Sequence, residues 1–172
     1  MDKVTIAREK YRPEYIKLMF IAEAPPCSND RFFYFDDVKK GDSLFLHVIR
    51  AVFPDLEGWE TKQIRAKKEE LLYRFKDAGY FLEDSAAESI PKGTTTRNKE
   101  RILAESQQDL ISRIELYKKQ TKFVLLSATV FKVNYIPLKD EGFNILNEVA
   151  IPFPGSGQQN KFKRLIADIE LN

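Results

Sequence analysis

The sequence predicts an α/β fold, a three-layer sandwich with a short, mainly four-stranded parallel sheet flanked by helices. Three observations carry that prediction. Within 17–22 and 122–127, the stretches 18–22 and 123–126 are apolar at every position, as befits strands covered on both faces. Further strand-like segments fall at 80–84 and 147–151, and stretches of helical length separate all four. Crossovers of that length join parallel neighbours.

Residues 5–16 read as a short helix, bent near Pro13, whose ring removes a backbone donor. The strand 17–22 follows and stops at Glu23-Ala24-Pro25-Pro26. Residues 26–41 form a loop that contains Ser28-Asn29-Asp30 and the aromatic run Phe32-Phe33-Tyr34-Phe35, and it closes at Gly41. Asp42-Ser43 can cap a helix whose apolar face includes Leu44, Phe45, Val48, Ile49 and Val52, and Pro54 ends it. Thr61 to Ala78 is the next helix, stopped by Gly79. Tyr80–Asp84 is a strand and 85–96 a polar loop with Pro91 and Gly93. Arg97 to Lys119 has the length and composition of one long helix. After the strand 122–127 a short helix begins near Ala128, and Asn147–Ile151 gives the fourth strand. Gln158 to Leu171 closes the chain as an amphipathic helix through Phe162, Leu165, Ile166 and Ile169.

The 172 residues suffice for one domain, 1–172, with a substantial core, and no linker or repeat divides them. No run approaches the roughly 20 apolar residues that span a bilayer. The charged N-terminus lacks the apolar core of a signal peptide, so a cytoplasmic protein with no membrane contact is expected. A lone cysteine, Cys27, and a lone histidine, His47, allow no intrachain disulfide, no four-thiolate cluster and no histidine-rich metal centre. No metal and no cofactor are expected. His47 sits among apolar helix residues and reads as structural. The net charge of +2 proves no polyanion partner. Basic residues nonetheless gather at 39–40, 62–68, 118–122 and 161–164, either as solvated helix faces or as parts of a shared groove.

In a parallel α/β sheet, ligands sit beyond the carboxyl ends of the strands. Glu23, Asp84, Ser127 and the loop after Ile151 converge there. The stretch "KLMFIAEAPP" therefore delivers an acid to a proline-rigid loop. The plainer reading is a strand-end acid paired with a lysine. Asp84 likewise either caps the following turn or serves a site. "GSGQQNKF" from Gly155 places small residues before a helix, where backbone N–H groups can hold a phosphate or simply begin an ordinary helix. "PKGTTTRNK" from Pro91 can bind phosphate through Lys92, the threonines Thr94 to Thr96 and Arg97, or be a polar loop without function.

These strand ends resemble the uracil-DNA glycosylase superfamily, in the right order along most of the chain. Ile21-Ala-Glu-Ala-Pro25 is similar to the first motif, especially the Gly-Glu-Ala-Pro-Gly form of the iron–sulfur branch. The aromatic run occupies the place of the residue that stacks on a flipped base. Phe81-Leu-Glu-Asp84 followed by Pro91 resembles the segment that presents the base-reading asparagine, and Phe153-Pro-Gly-Ser156 stands where the family has His-Pro-Ser-Pro. The departures are specific. The cluster cysteines are absent, Ala22 and Pro26 replace the motif glycines, and Ala24 falls where the other branch has its water-activating aspartate. Asp84 stands in the asparagine position and Phe153 in that of the histidine.

The resemblance implies catalytic roles for Glu23 and Asp84. It implies a base pocket from Ala24, Pro25, Phe33, Tyr34, Phe35 and Phe153. It implies phosphate or DNA contacts at Gly155, Ser156, Gly157, Gln158, Lys92 and Arg97. The expected partner is DNA or a nucleotide. The departures redirect the chemistry. Phenylalanine donates no hydrogen bond to the anion left on a departing base. An ionised aspartate repels a pyrimidine carbonyl and accepts from an amine or ring N–H instead. The expected function is therefore excision of an altered base by hydrolysis of its N-glycosidic bond, with weak or no activity on uracil. The alternatives are a catalytically silent nucleic-acid or nucleotide-binding module on the same scaffold, or an enzyme acting on another nucleotide-like substrate.

Overall fold

A computed structural model describes residues 2–28, 31–38, 40–155 and 157–169. Strand β1 (Leu18–Ala22) is buried at every position and lies inside a four-stranded, all-parallel sheet. Its neighbours are β2 (Tyr80–Asp84) and β3 (Lys122–Leu125), and β4 (Asn144–Ile145) lies beyond β3. The register sets Ala22 opposite Asp84 and Ile21 opposite Leu125, so Glu23, Asp84 and Ser127 all emerge at the same end of the sheet.

Eight helices surround the sheet among the described residues: α1 (Lys3–Lys10), α2 (Ser43–Val52), α3 (Thr61–Ala66), α4 (Lys68–Asp77), α5 (Thr96–Glu105), α6 (Gln107–Ile114), α7 (Ala128–Asp140) and α8 (Gln159–Ala167). The architecture is the expected α/β sandwich. Apolar stripes on α2 and α8 meet each other, as do α5 and α7. The core is rich in rings: Phe20, Phe33, Phe45, Phe75 and Phe81 are all buried around β1 and β2.

Four elements differ from the sequence reading. The first helix ends at Lys10 rather than continuing past Pro13. The expected helix 61–78 is two helices that meet at Lys67, whose backbone leaves the helical region at φ −109° and ψ 16°. The break turns Lys68 into the core, where its ammonium lies 4.3 Å from the centre of the Phe45 ring. The expected long helix 97–119 divides at Ser106, whose hydroxyl donates to the Ile102 carbonyl at 2.8 Å, a back-bond that bends helices. The fourth strand is Asn144–Ile145, not 147–151. The Asn147 side chain takes the ladder position instead: its amide oxygen accepts from Leu125 N–H at 2.9 Å and its amide nitrogen donates to Leu125 C=O at 3.2 Å. Ile151 keeps only a single bridge, to Leu126.

Strand β2 forms one edge of the sheet, so alternate backbone groups along it lack a strand partner. A side chain fills that gap. The Tyr34 hydroxyl accepts from Leu82 N–H at 2.6 Å and donates to Leu82 C=O at 3.1 Å, in a fully buried setting. Two residues further on, Asp84 N–H donates to the Glu83 carboxylate at 3.0 Å.

Candidate functional site

The ends of β1 and β2 are bound together by Ser85 N–H donating to Ala22 C=O at 2.7 Å and Ala86 N–H to Glu23 C=O at 2.9 Å. Glu23 therefore has a fixed backbone, and Pro25 and Pro26 limit the chain that follows. Both of its carboxylate oxygens are engaged. Oε1 accepts from the Ser127 hydroxyl at 3.2 Å, and Oε2 pairs with the Lys99 ammonium at 3.2 Å. Ser127 begins α7, and its Oγ accepts from Val130 N–H at 3.2 Å. It is the one described non-glycine residue at positive φ, with φ 84° and ψ 149°, a region almost only glycine adopts. That turn aims the hydroxyl back across the strand ends toward Glu23.

Asp84 sits at the end of β2 and is almost wholly buried. Arg8 of α1 reaches it: Nη2 donates to Oδ2 at 2.5 Å while Nη1 lies 3.0 Å from Glu83 Oε1. Arg113 of α6 lies 2.7 Å from the same Glu83 oxygen and donates to the Asp84 and Ser85 carbonyls. Burial pushes the Asp84 carboxyl up to about 7, and the two arginines pull against that rise. Asp84 Oδ1 accepts no hydrogen bond among the described residues.

Two hollows open at this end of the sheet. One, of about 300 Å³, has Asp84 and Leu82 in its wall with Phe32, Phe33, Phe45 and Phe153, and Asp42 at the start of α2. The other, of about 580 Å³, contains Glu23, Pro25, Cys27, Lys92, Thr94 and Lys99. Ala24, Pro26, Arg31 and Phe153 line both and so form the ridge between them. A larger cleft of about 940 Å³ lies on the Glu83 side of β2, where Arg8, Arg12 and Arg113 each already grip a carboxylate.

Of the residues singled out from sequence, Glu23, Ala24, Pro25, Lys92 and Phe153 meet in the second hollow, and Asp84, Ala24, Phe33 and Phe153 in the first. Glu23 and Asp84 thus share an end of the sheet but not a cavity. Tyr34 and Phe35 lie elsewhere than expected: both are buried in the core, Tyr34 against Phe81 and at the β2 edge, and neither lines a hollow. Arg97 is exposed on α5 outside both hollows, as are Gly157 and Gln158 ahead of α8. Gly155 packs on the Phe153 ring, where a Cβ would lie 3.2 Å from its carbons. Ser156 lies outside the described residues. Asp42 starts α2 without capping it through its side chain, because its carboxylate accepts from Arg65 at 2.7 Å and lies 3.6 Å from Lys68. Burial lowers the Lys68 ammonium to about 8.

Sequence reading missed Arg8, Lys99 and Arg113. Each lies on a helix among other charges, with its site partner 76, 76 and 29 residues away, and no local pattern marks such a pairing.

No protein-family model matches this chain, and no curated protein or solved structure does either. Among the described residues no group of three or more side chains is arranged to hold a metal ion, and no helix is long and apolar enough to cross a membrane.

Proposed function

We propose that this chain is a uracil-DNA glycosylase-like protein that receives an extruded base in the Asp84 hollow and hydrolyses the N-glycosidic bond of an altered base other than uracil. The observation that carries the reading is Asp84 itself: a buried carboxylate with one oxygen unpartnered among the described residues, in the wall of a phenylalanine-lined hollow of about 300 Å³. That volume is at the small end of ligand sites and suits one planar ring. Aromatic walls stack on a base and a fixed polar group reads its edge. Glu23, held by Ser127 and Lys99, is the group to orient a water. The water oxygen bonds to the sugar C1′ as the C1′–N bond breaks. The bond pair leaves with the base, and the proton lost by the water passes to Glu23. Lys92 and Lys99 in the adjoining hollow supply positive charge for a sugar–phosphate strand.

A second reading, binding without catalysis, draws on two observations. Glu23 and Asp84 open into different hollows, and Phe153 offers no donor to a leaving base. One incubation separates them. The protein and its Glu23→Gln variant are mixed with oligonucleotides carrying a panel of damaged bases, and strand breaks are read after alkali. Excision that disappears in Glu23→Gln supports the first reading. Salt-sensitive binding in fluorescence anisotropy without excision supports the second. No binding at low salt removes both.

A further inference from the structure

We propose that Arg8 is the specificity-determining residue of the Asp84 hollow, selecting ring edges that carry an amino group over edges that carry a carbonyl. This rests on the base-pocket reading above. Arg8 belongs to α1, outside every motif that carries the resemblance, yet its guanidinium spans Glu83 and Asp84 and occupies Asp84 Oδ2. What remains for a ligand is Oδ1. A carboxylate oxygen only accepts, whereas a protonated carboxyl can also donate. The charge state of Asp84 therefore decides which edge it reads.

The hollow that Asp84 lines also carries Arg31 and Asp42, the latter paired with Arg65 and Lys68. The groups closest to Asp84 oppose one another. Arg8 from α1 and Arg113 from α6 favour the carboxylate, while Glu83 on the same strand and burial favour the acid. The Tyr34 hydroxyl, buried beside β2, is committed to Leu82 and contributes no free proton donor. Arg8 is the only one of these cations bonded directly to the Asp84 carboxylate among the described residues. Without it, burial and Glu83 prevail, Asp84 holds its proton through neutrality, and the hollow changes from acceptor to donor. Removing an adjacent opposite charge typically moves such a group by about 1 to 3 pH units.

The test uses two pairs of deoxynucleosides that differ by amino against oxo at one ring edge: deoxycytidine with deoxyuridine, and deoxyadenosine with deoxyinosine. Affinities are measured by calorimetry at pH 8.5 and pH 5.5 for the unmodified protein and for Arg8→Gln, Arg8→Met and Arg8→Lys, each checked for folding by circular dichroism. The unmodified protein should prefer the amino member of each pair at pH 8.5, by about tenfold or more for a hydrogen bond to a charged group. The preference should shrink at pH 5.5. Arg8→Gln and Arg8→Met should lose or reverse it at pH 8.5, and Arg8→Lys, which keeps the charge, should retain it. An amino preference that survives in folded Arg8→Gln or Arg8→Met overturns the inference while leaving the pocket intact. So does a preference in the unmodified protein that does not change with pH, a readout available even if both neutral variants unfold. Failure of all four nucleosides to bind overturns the pocket reading, and this inference with it.

Discussion

Replacing Tyr34 by phenylalanine removes one oxygen from the protein and leaves the ring in place. That oxygen serves both buried backbone groups of Leu82 that lack a strand partner on the edge of β2, accepting at 2.6 Å and donating at 3.1 Å. The ring is fully buried, between Tyr11, Phe33 and Phe81. No cavity larger than the missing hydroxyl forms, so the cost comes from two backbone groups left buried and unpaired. At about 1–3 kcal/mol for each such group, the expected loss is about 2–6 kcal/mol. For a chain of this length that corresponds to a fall in Tm of roughly 4–24 °C. Urea unfolding of both proteins at an unchanged m-value measures it. Tyr11→Phe is the control, because its hydroxyl donates at 2.8 Å to Asp36, a partly exposed carboxylate that water can serve instead; it should lose less than about 1 kcal/mol. A Tyr34→Phe loss no larger than that of the control would refute the idea that the hydroxyl seals the sheet edge.

Three further outcomes follow from the same geometry. Ser127→Gly should be more stable than Ser127→Ala by about 1–3 kcal/mol, because both lose the hydroxyl but only glycine relieves φ 84°; paired chemical denaturation curves decide it. Asp84 binds its proton more tightly folded than unfolded, with the carboxyl raised from 3.8 to about 7. Between those values the native state holds more protons, so this group makes stability fall as pH rises from about 4 to 7. Thermal melts across that window should show the Asp84→Asn variant with a less negative, or more positive, slope than the unmodified protein. Uracil excision should be weak or absent, since one missing donor to a developing anion costs about a hundred- to a thousand-fold. A strand-cleavage assay that finds activity appearing only in Phe153→His would support the alignment of that loop with the histidine motif, and robust excision by the unmodified protein would overturn it.

The three crossovers and the place of β1 were legible in the sequence because they rest on burial. A strand that is apolar on every residue, as Leu18–Ala22 is, has no solvent face and must lie inside a sheet. The carboxyl ends of parallel strands then gather at one edge, and with them Glu23, Asp84 and Ser127. Local pattern also placed β2 correctly to the residue. It failed where one side chain overrode it. The helix 61–78 breaks at Lys67 with Lys68 turned toward Asp42 and Phe45, and the Asn147 amide displaced a strand whose composition was otherwise right. Those choices depend on partners many residues distant, which no window of sequence contains.

The same division runs through the candidate site. Sequence by itself determined the chemical types available at the strand ends: an acid near two prolines, a second acid closing a strand-like segment, and a phenylalanine in the loop after Ile151. Only the tertiary structure decided how they are used. It put Glu23 and Asp84 on opposite sides of a ridge built by Ala24, Pro26, Arg31 and Phe153, and drew Tyr34 from the expected pocket into the sheet edge. It also brought Arg8 and Lys99, each 76 residues from its acid, within bonding distance. The reason is physical. Residue type fixes what a group can donate, accept or titrate, whereas the charge it carries and the edge it presents are set by burial and by neighbours that only the folded chain assembles.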